Sequence, residues 1–388
     1  MNSKRIMRKV QPALRMTSRL FTLRTPPRLR LLYAALISVL LYVLYYFGIF
    51  THLLEKDYFT QFEYPLNEDI TVYIDQLRNG DLSDRPPINV YNYSFVTDAH
   101  SKCLTGGTFA ELRLVYLVKS SMDHFERRQA IRQSWGFEGR FSDVPIRTIF
   151  LLGTRPSEPD SQVRVDKENK QFGDIVQADF LDAYYNNTIK TMMGYKWARR
   201  FCPKAKFYFF SDDDMYVSTK NVLRFLRHPT RYPQYLEDPA GMEVKPARKL
   251  EQVLDFELPD EVQLYAGELR HVAPFRHQSS KWYVSLEEYP FHLWPPYITA
   301  GAYVVSRATL DTLFLGSLFT KHFRFDDIYL ALVAKKSGVE PYHCRDFRLN
   351  RLWYDGAIDY RYLIASHDFS DPEELKRFWE IQREAGNA

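Results

Sequence analysis

Three consecutive carboxylates, Asp212, Asp213 and Asp214, directly follow the aromatic stretch Phe207-Tyr208-Phe209-Phe210-Ser211. Such a run reads as a buried strand, and in an open α/β sheet ligands collect beyond the carboxyl ends of the strands. Three like charges this close repel one another unless a cation lies between them. Carboxylate oxygens suit hard divalent ions such as Mg²⁺ and Mn²⁺, which also hold a substrate diphosphate. An acidic surface turn would leave the same signature, so the rest of the chain has to decide.

Four other segments carry residues of chemical interest. Within 127–136, Arg128 and Arg132 stand one helical turn apart, where they either meet an anionic ligand or form a solvated basic face. Residues 179–191, which include Lys190, open a helix with polar groups, and a helix N-terminus favours anions. Ordinary capping by Asn187 and Thr188 explains the same residues. Asp326 and Asp327 sit between Phe325 and Ile328. A carboxylate in a partly apolar setting gains proton affinity, as a general base requires, although Asp at a helix start is also a common cap. His367, in Ser366-His367-Asp368-Phe369, is either a ligand or a structural histidine.

The elements that would position these groups alternate. Strands are expected at Leu112–Val118, Arg147–Leu152, Asp174–Ala178, Lys206–Phe210 and Ala300–Ser306. Helices are expected at Glu126–Trp135, Asn186–Phe201, Arg307–Leu318 and Phe325–Lys336. This order indicates an α/β fold with helices packed on a largely parallel sheet. Residues 51–108 are polar and turn-rich and read as a stem, with packed structure beginning at Glu111. Five prolines among mixed charges mark 229–263 as a surface insertion.

The net charge of +4 averages two unlike parts: residues 1–30 hold nine Lys and Arg and no acid, which leaves the remainder net negative. The basic excess is an arm rather than a folded face, which excludes a nucleic-acid partner. Leu31 to Phe50 then runs twenty residues without a charge. As a helix this spans roughly 30 Å, the thickness of a bilayer's hydrocarbon core. Its length and its aromatic end distinguish it from a cleaved signal peptide. The positive-inside rule makes 1–30 a cytosolic tail, 31–50 a type II signal anchor, and the remainder lumenal. Of three cysteines, Cys103, Cys202 and Cys344, at most one intramolecular pair forms, and no Cys-x-x-Cys metal finger exists. Asn92 and Asn186 head Asn-x-Ser/Thr sequons and are glycosylation candidates in the lumen.

Taken together and in order, seven segments resemble glycosyltransferase family 31, the β-1,3-glycosyltransferases. They are RRQAIRQSWG (127–136), FLLG (150–153), DFLDAYYNNTIKT (179–191), FCPKAKFYFFSDDD (201–214), KWYVSLEEYP (281–290), WPPYITAGAYVVS (294–306) and FRFDDIYLALVA (323–334). The resemblance implies a GT-A fold, a Rossmann-like mixed sheet flanked by helices, over 109–388 behind the anchor and stem. It places Asp214 and His367 on Mn²⁺, Asp212 and Asp213 at the donor, and Asp327 as catalytic base. Arg132 and Lys190 are expected donor contacts, and Trp282 and Tyr283 either stack on a sugar or pack a core. Ser134, Asp326 and Ala331 depart from the family's commoner Thr, Glu and Gly. Ile298-Thr299-Ala300-Gly301 replaces a Cys-Ser-Gly run, which bears on the sugar pocket and on cysteine pairing. The implied reaction is inverting transfer from a UDP-sugar donor in the Golgi membrane. N-acetylglucosamine would pass from UDP-N-acetylglucosamine to a β-mannosyl glycolipid acceptor, mannosyl-glucosylceramide. A β-1,3-galactosyltransferase shares every motif. A non-catalytic glycan-binding relative and a metal-dependent phosphohydrolase remain as readings from other classes.

Overall fold

The computed structural model describes residues 26–63, 68–237, 258–351 and 360–388. Most of the basic arm and the centre of the 229–263 insertion lie outside the described residues. The chain forms two compact units. One is the N-terminal segment through Phe62 together with Val272–Trp294, and the other is Glu63–His271 together with Pro295–Ala388.

In the first unit, helix α1 (Pro27–Tyr46) is twenty residues long, starts with proline in its first turn and buries none of its side chains. It is long and apolar enough to cross a membrane. A helical turn at Tyr58–Gln61 follows, capped by Asp57, whose Oδ1 accepts from the Thr60 N–H at 2.9 Å.

The second unit is built on an eight-stranded sheet. Its strands are β1 (Phe95–Thr97), β2 (Leu114–Lys119), β3 (Ile146–Thr154), β4 (Ile175–Leu181), β5 (Phe207–Asp212), β6 (Tyr265–Arg270), β7 (Tyr297–Ser306) and β8 (Tyr342–His343). Their spatial order is β1-β4-β3-β2-β5-β7-β6-β8. The central four, β4, β3, β2 and β5, are parallel, and β7 runs antiparallel to both β5 and β6. Every residue of β2 is buried, as are Phe207 to Ser211 of β5. Parallel strands covered on both faces read as continuous apolar runs, which is why the sequence located them. A fully buried Phe or Leu contributes roughly 1.5–3 kcal/mol relative to exposure.

Among the described residues the helices of this unit longer than one turn are α2 (Thr71–Arg78), α3 (Phe125–Gln133), α4 (Pro159–Phe172), α5 (Asn187–Phe201), α6 (Thr219–Arg227), α7 (Arg307–Ser317), α8 (Asp326–Lys336) and α9 (Pro372–Glu384). Helix α8 packs on β7 and against α5 and α7, and α9 packs on α3. Gly153, the last residue of FLLG, allows a close approach of β3 to β4: a Cβ there would stand 2.8 Å from the Phe180 carbonyl oxygen.

Two segments that the sequence reads as stem and surface insertion carry packed residues, and the single cysteine pair that the sequence allows is placed. Packed structure begins before Glu111: Ile70 and Ile74 are buried around α2, which packs on α7, and β1 pairs with the edge of β4. Cys103 is disulfide-bonded to Cys202, and Cys344 is a buried free thiol. The opening of the 229–263 insertion is packed rather than superficial, because Tyr232 and Tyr235 are buried and Tyr232 donates to the Tyr362 carbonyl at 2.6 Å.

Candidate active site

Strands β2 and β5 are parallel neighbours in a register that pairs Lys119 with Asp212 at their carboxyl ends. Both strands change there from apolar to charged, so the two charges meet. Lys119 Nζ lies 3.0 Å from Asp212 Oδ1 and 2.8 Å from Asp326 Oδ2, and it donates to the Ala300 carbonyl at 3.2 Å. Asp326 is the first residue of α8, and its Oδ2 also accepts from the Thr191 hydroxyl of α5 at 2.9 Å. One buried ammonium therefore joins the carboxylate at the end of β5 to the acidic start of α8.

This arrangement separates the proton affinities of two adjacent acids. Burial pushes Asp326 upward, but the charge and hydrogen bond of Lys119, with Thr191, outweigh it and hold the carboxyl below its ordinary range. Among the described residues Asp327 has no such partner. Burial, then the negative charge of Asp326, pushes it up to about 7, against one hydrogen bond from the Ile328 N–H at 2.8 Å. Asp212 is also raised, by burial first and then, despite Lys119, by Asp214 and Asp326. Burial disfavours the charge on Lys119, yet its two carboxylates raise it well above the normal lysine value.

The three aspartates face different ways. Asp213 turns inward, where its carboxylate meets the Ser120 hydroxyl at 2.7 Å, His124 Nδ1 at 2.8 Å and Arg127 at 2.9 Å. These contacts overcome burial and lower its proton affinity. Asp212 and Asp214 instead group with His367, with one ligand atom from each lying within 4.8 Å of the others. His367 arrives on a small sheet in which Ala365–Ser366 pairs antiparallel with Tyr216–Val217. The Phe369 N–H closes it by donating to the Asp214 carbonyl at 2.9 Å. Asp368, held in the left-handed region at φ 70°, places Oδ1 2.8 Å from His367 Nδ1, which leaves Nε2 facing Asp214 Oδ1 at 3.4 Å. Asp214 Oδ1 is buried and has no hydrogen-bond donor among the described residues. An acceptor oxygen shielded in this way, beside a second carboxylate and an oriented imidazole, fits a divalent cation.

A cavity of about 310 Å³ opens on this cluster. Its lining includes the cations Lys119, Arg127, Arg155 and Lys190, together with His124. Lys190 Nζ is 2.7 Å from Asp182 Oδ1 and donates to the Ser120 carbonyl at 2.5 Å. Arg155 reaches the Ser121 hydroxyl and the Asp182 carbonyl. The sequence did not single out Lys119, His124 or Arg155. The available signal for Lys119 was a lone charge ending an apolar strand, the same signal that marked Asp212.

Arg132, expected at the donor, has a different placement: it does not line this cavity. Its guanidinium pairs with Asp174 at 2.8 Å and Glu168 at 2.8 Å and lies between the Phe150 and Phe172 rings. Arg128 is fully buried on the same Glu168. Trp282 and Tyr283 belong to the first compact unit. Of the sequons, Asn92 is exposed, whereas Asn186 donates its amide to the Leu181 carbonyl at 2.8 Å and its sequon's Thr188 is buried.

A family model described as Galactosyltransferase matches residues 126–245 and 242–345. Beta-1,3-galactosyltransferase brn of Drosophila melanogaster is 41% identical over 358 residues, which are 92% of this chain and 98% of that relative. The chain belongs to the galactosyltransferase family. This is the family its seven motifs resemble, glycosyltransferase family 31, and the protein is a β-1,3-glycosyltransferase of that type. Human Beta-1,3-galactosyltransferase 1 is 31% identical over 300 residues, covering 77% of this chain and 81% of that one. The solved structure of galactosyltransferase LgtC with donor and acceptor sugar analogues overlaps 69% of this chain and 95% of that one. At 10% identity and a TM-score of 0.33, that likeness is too slight to carry an argument. Two features of this chain remain to be given a chemical meaning: the Asp212–Asp214–His367 group at the end of β5, which could hold a metal ion, and the separate acid of raised proton affinity, Asp327, at the start of α8.

Proposed function

We propose that this protein is an inverting, divalent-metal-dependent transferase, with Asp327 as the base that activates the acceptor's 3-hydroxyl. One observation supports this above the others. The double ion pair of Lys119 ties Asp212 to Asp326, so Asp327 belongs to the same site as the Asp212–Asp214–His367 group. Asp327, with its proton affinity near neutrality, accepts the hydroxyl proton as that oxygen attacks C1 of the donor from the opposite face. A single displacement turns an α-linked donor into a β-linked product. Asp214 and His367, with Asp212, would hold Mn²⁺, which when bound neutralises charge on the departing UDP. No second carboxylic acid is then needed to protonate the leaving group, unlike in an inverting glycosidase. Lys190, Arg127 and Arg155 offer the cationic lining for the diphosphate.

In the first reading the donor is UDP-N-acetylglucosamine and the acceptor a β-mannosyl glycolipid, although the motifs themselves are common to both donors. A second reading, UDP-galactose as donor, is favoured by the names of the relatives, both β-1,3-galactosyltransferases. Helix α1 anchors the chain in the Golgi membrane as a single-pass type II protein, an orientation supported by the basic arm before it. The purified chain, given Mn²⁺, a β-mannoside and either UDP-sugar in parallel, separates the two donors. Transfer of N-acetylglucosamine alone supports the first reading and transfer of galactose alone the second. Inorganic phosphate release from simple esters, without sugar transfer, would contradict both.

A further inference from the structure

Val272–Trp294 carries an organised arrangement that the transfer chemistry does not use. Its centre is Arg276, 2% exposed, whose guanidinium pairs with Glu55 at 2.7 Å. The same guanidinium donates to the carbonyls of Val284 (2.8 Å), Ser285 (3.0 Å), Tyr289 (2.8 Å) and Phe291 (3.0 Å). A buried cation satisfied this fully fixes the path of the loop around it. Gly48 fixes where the loop sits. It turns the chain just after α1 at φ 74°, and a Cβ there would stand 2.5 Å from the Arg276 carbonyl oxygen. The loop therefore lies directly against the end of the apolar helix.

Aromatic rings run unbroken across that junction. Centroids are 5.5 Å apart for Tyr46 and Phe47, 6.5 Å for Phe47 and His277, 5.9 Å for His277 and Phe275, and 5.6 Å for Phe275 and Trp282. The Lys281 ammonium lies 4.4 Å from the centre of the Trp282 ring. Despite these contacts Phe47, Phe275 and Trp282 remain 55%, 46% and 43% exposed, and Leu53 and Leu54 are more exposed still. Exposed apolar area continuous with the end of an apolar helix, and bearing indole and ammonium groups, has the chemistry of a membrane–water interface.

We infer that residues 272–294 form a platform seated in the headgroup layer of the bilayer that α1 spans, with Phe275 and Trp282 inserted among the lipids and Lys281 toward their phosphates. This rests on α1 being a membrane anchor. The partner is a phospholipid surface, and contact with a sugar, the other role open to Trp282, is an outcome of the test.

The full-length chain is reconstituted into phosphatidylcholine vesicles whose acyl chains are brominated near the headgroup, and into unbrominated ones. Helix α1 contains no tryptophan, Trp135, Trp197, Trp294 and Trp379 are buried, and Trp353, outside the described residues, is replaced by Phe in both proteins compared. Quenching by bromine in the protein that keeps Trp282, nearly abolished in Trp282→Phe, is the expected result. Equal quenching in the two proteins, or none in either, overturns the inference when alkaline carbonate leaves the chain in the vesicle pellet. A change of Trp282 emission on adding soluble β-mannoside, with no bromine effect, overturns it in favour of a sugar contact. Extraction of the chain by carbonate overturns the anchor itself and the platform with it.

Discussion

Lys119 Nζ and Asp326 Oδ2 lie 2.8 Å apart in a buried setting, and the same nitrogen reaches Asp212 at 3.0 Å. This pairing connects two elements far apart in sequence, and it keeps Asp326 charged next to an Asp327 whose burial favours the proton. Removing one partner of such a buried group leaves charge uncompensated, at a cost of about 3–5 kcal/mol. Lys119→Met is expected to lose stability on that scale in urea unfolding, together with transfer activity. Asp326→Asn in the Lys119→Met background is expected to recover part of the stability and none of the activity.

The position of Asp327 gives a pH dependence with a definite sign. The working form of a base is ionised, so kcat/KM should rise about tenfold per pH unit below roughly 7 and level off above it. A flat profile between about pH 5.5 and 8 would contradict the assignment.

Stability should run the other way at this residue. Its proton affinity is higher in the folded chain than in the unfolded one, so its contribution is fully present below the unfolded value of 3.8 and is lost as pH rises through about 7. Asp327→Asn, which carries no charge to bury, should be at least as stable as wild type at pH 8 while its transfer rate falls by about 10²–10⁴. Thermal unfolding and a rate assay on the same preparation check both halves.

Asp368 holds His367 through Nδ1 and is not itself one of the Asp212–Asp214–His367 group that would hold a metal. Partners of this kind typically change metal affinity by 10–100-fold, so Asp368→Asn, which tolerates the left-handed backbone, should raise the Mn²⁺ concentration for half-activity by about tenfold or more. His367→Ala should raise it further. Titration of activity with Mn²⁺ after chelation provides the reading.

The two sequons differ in their surroundings. Asn92 is exposed, while Asn186 is hydrogen-bonded and its Thr188 hydroxyl is spent on the Phe323 carbonyl at 2.7 Å. Glycosidase treatment of the secretory-pathway protein should shift its mass by one glycan. Asn92→Gln should abolish that shift, and Asn186→Gln should leave it unchanged.

The parallel strands were legible because β2 and β5 are covered on both faces and so have no polar alternation to obscure them. The aspartate triplet was legible for the same reason, as an abrupt charge after a buried strand. Strand β1 was not: three residues of mixed burial acquire their role from β4, not from their own pattern. The Arg128 and Arg132 spacing correctly gave one helix face, but no spacing rule reveals that Glu168 and Asp174 arrive from another segment to consume both charges. Lys119 illustrates the general limit. Its type and strand-end position were visible, whereas its two carboxylate partners come from β5 and α8, and only the folded sheet brings them together.

The most direct test of the account is transfer by wild type and Asp327→Asn with each UDP-sugar, reading the anomeric configuration of the product by NMR. The account predicts a β-1,3-linked product from the wild type, dependent on divalent metal, and almost none from a folded Asp327→Asn. An α-linked product, or a variant as active as the wild type, would contradict it.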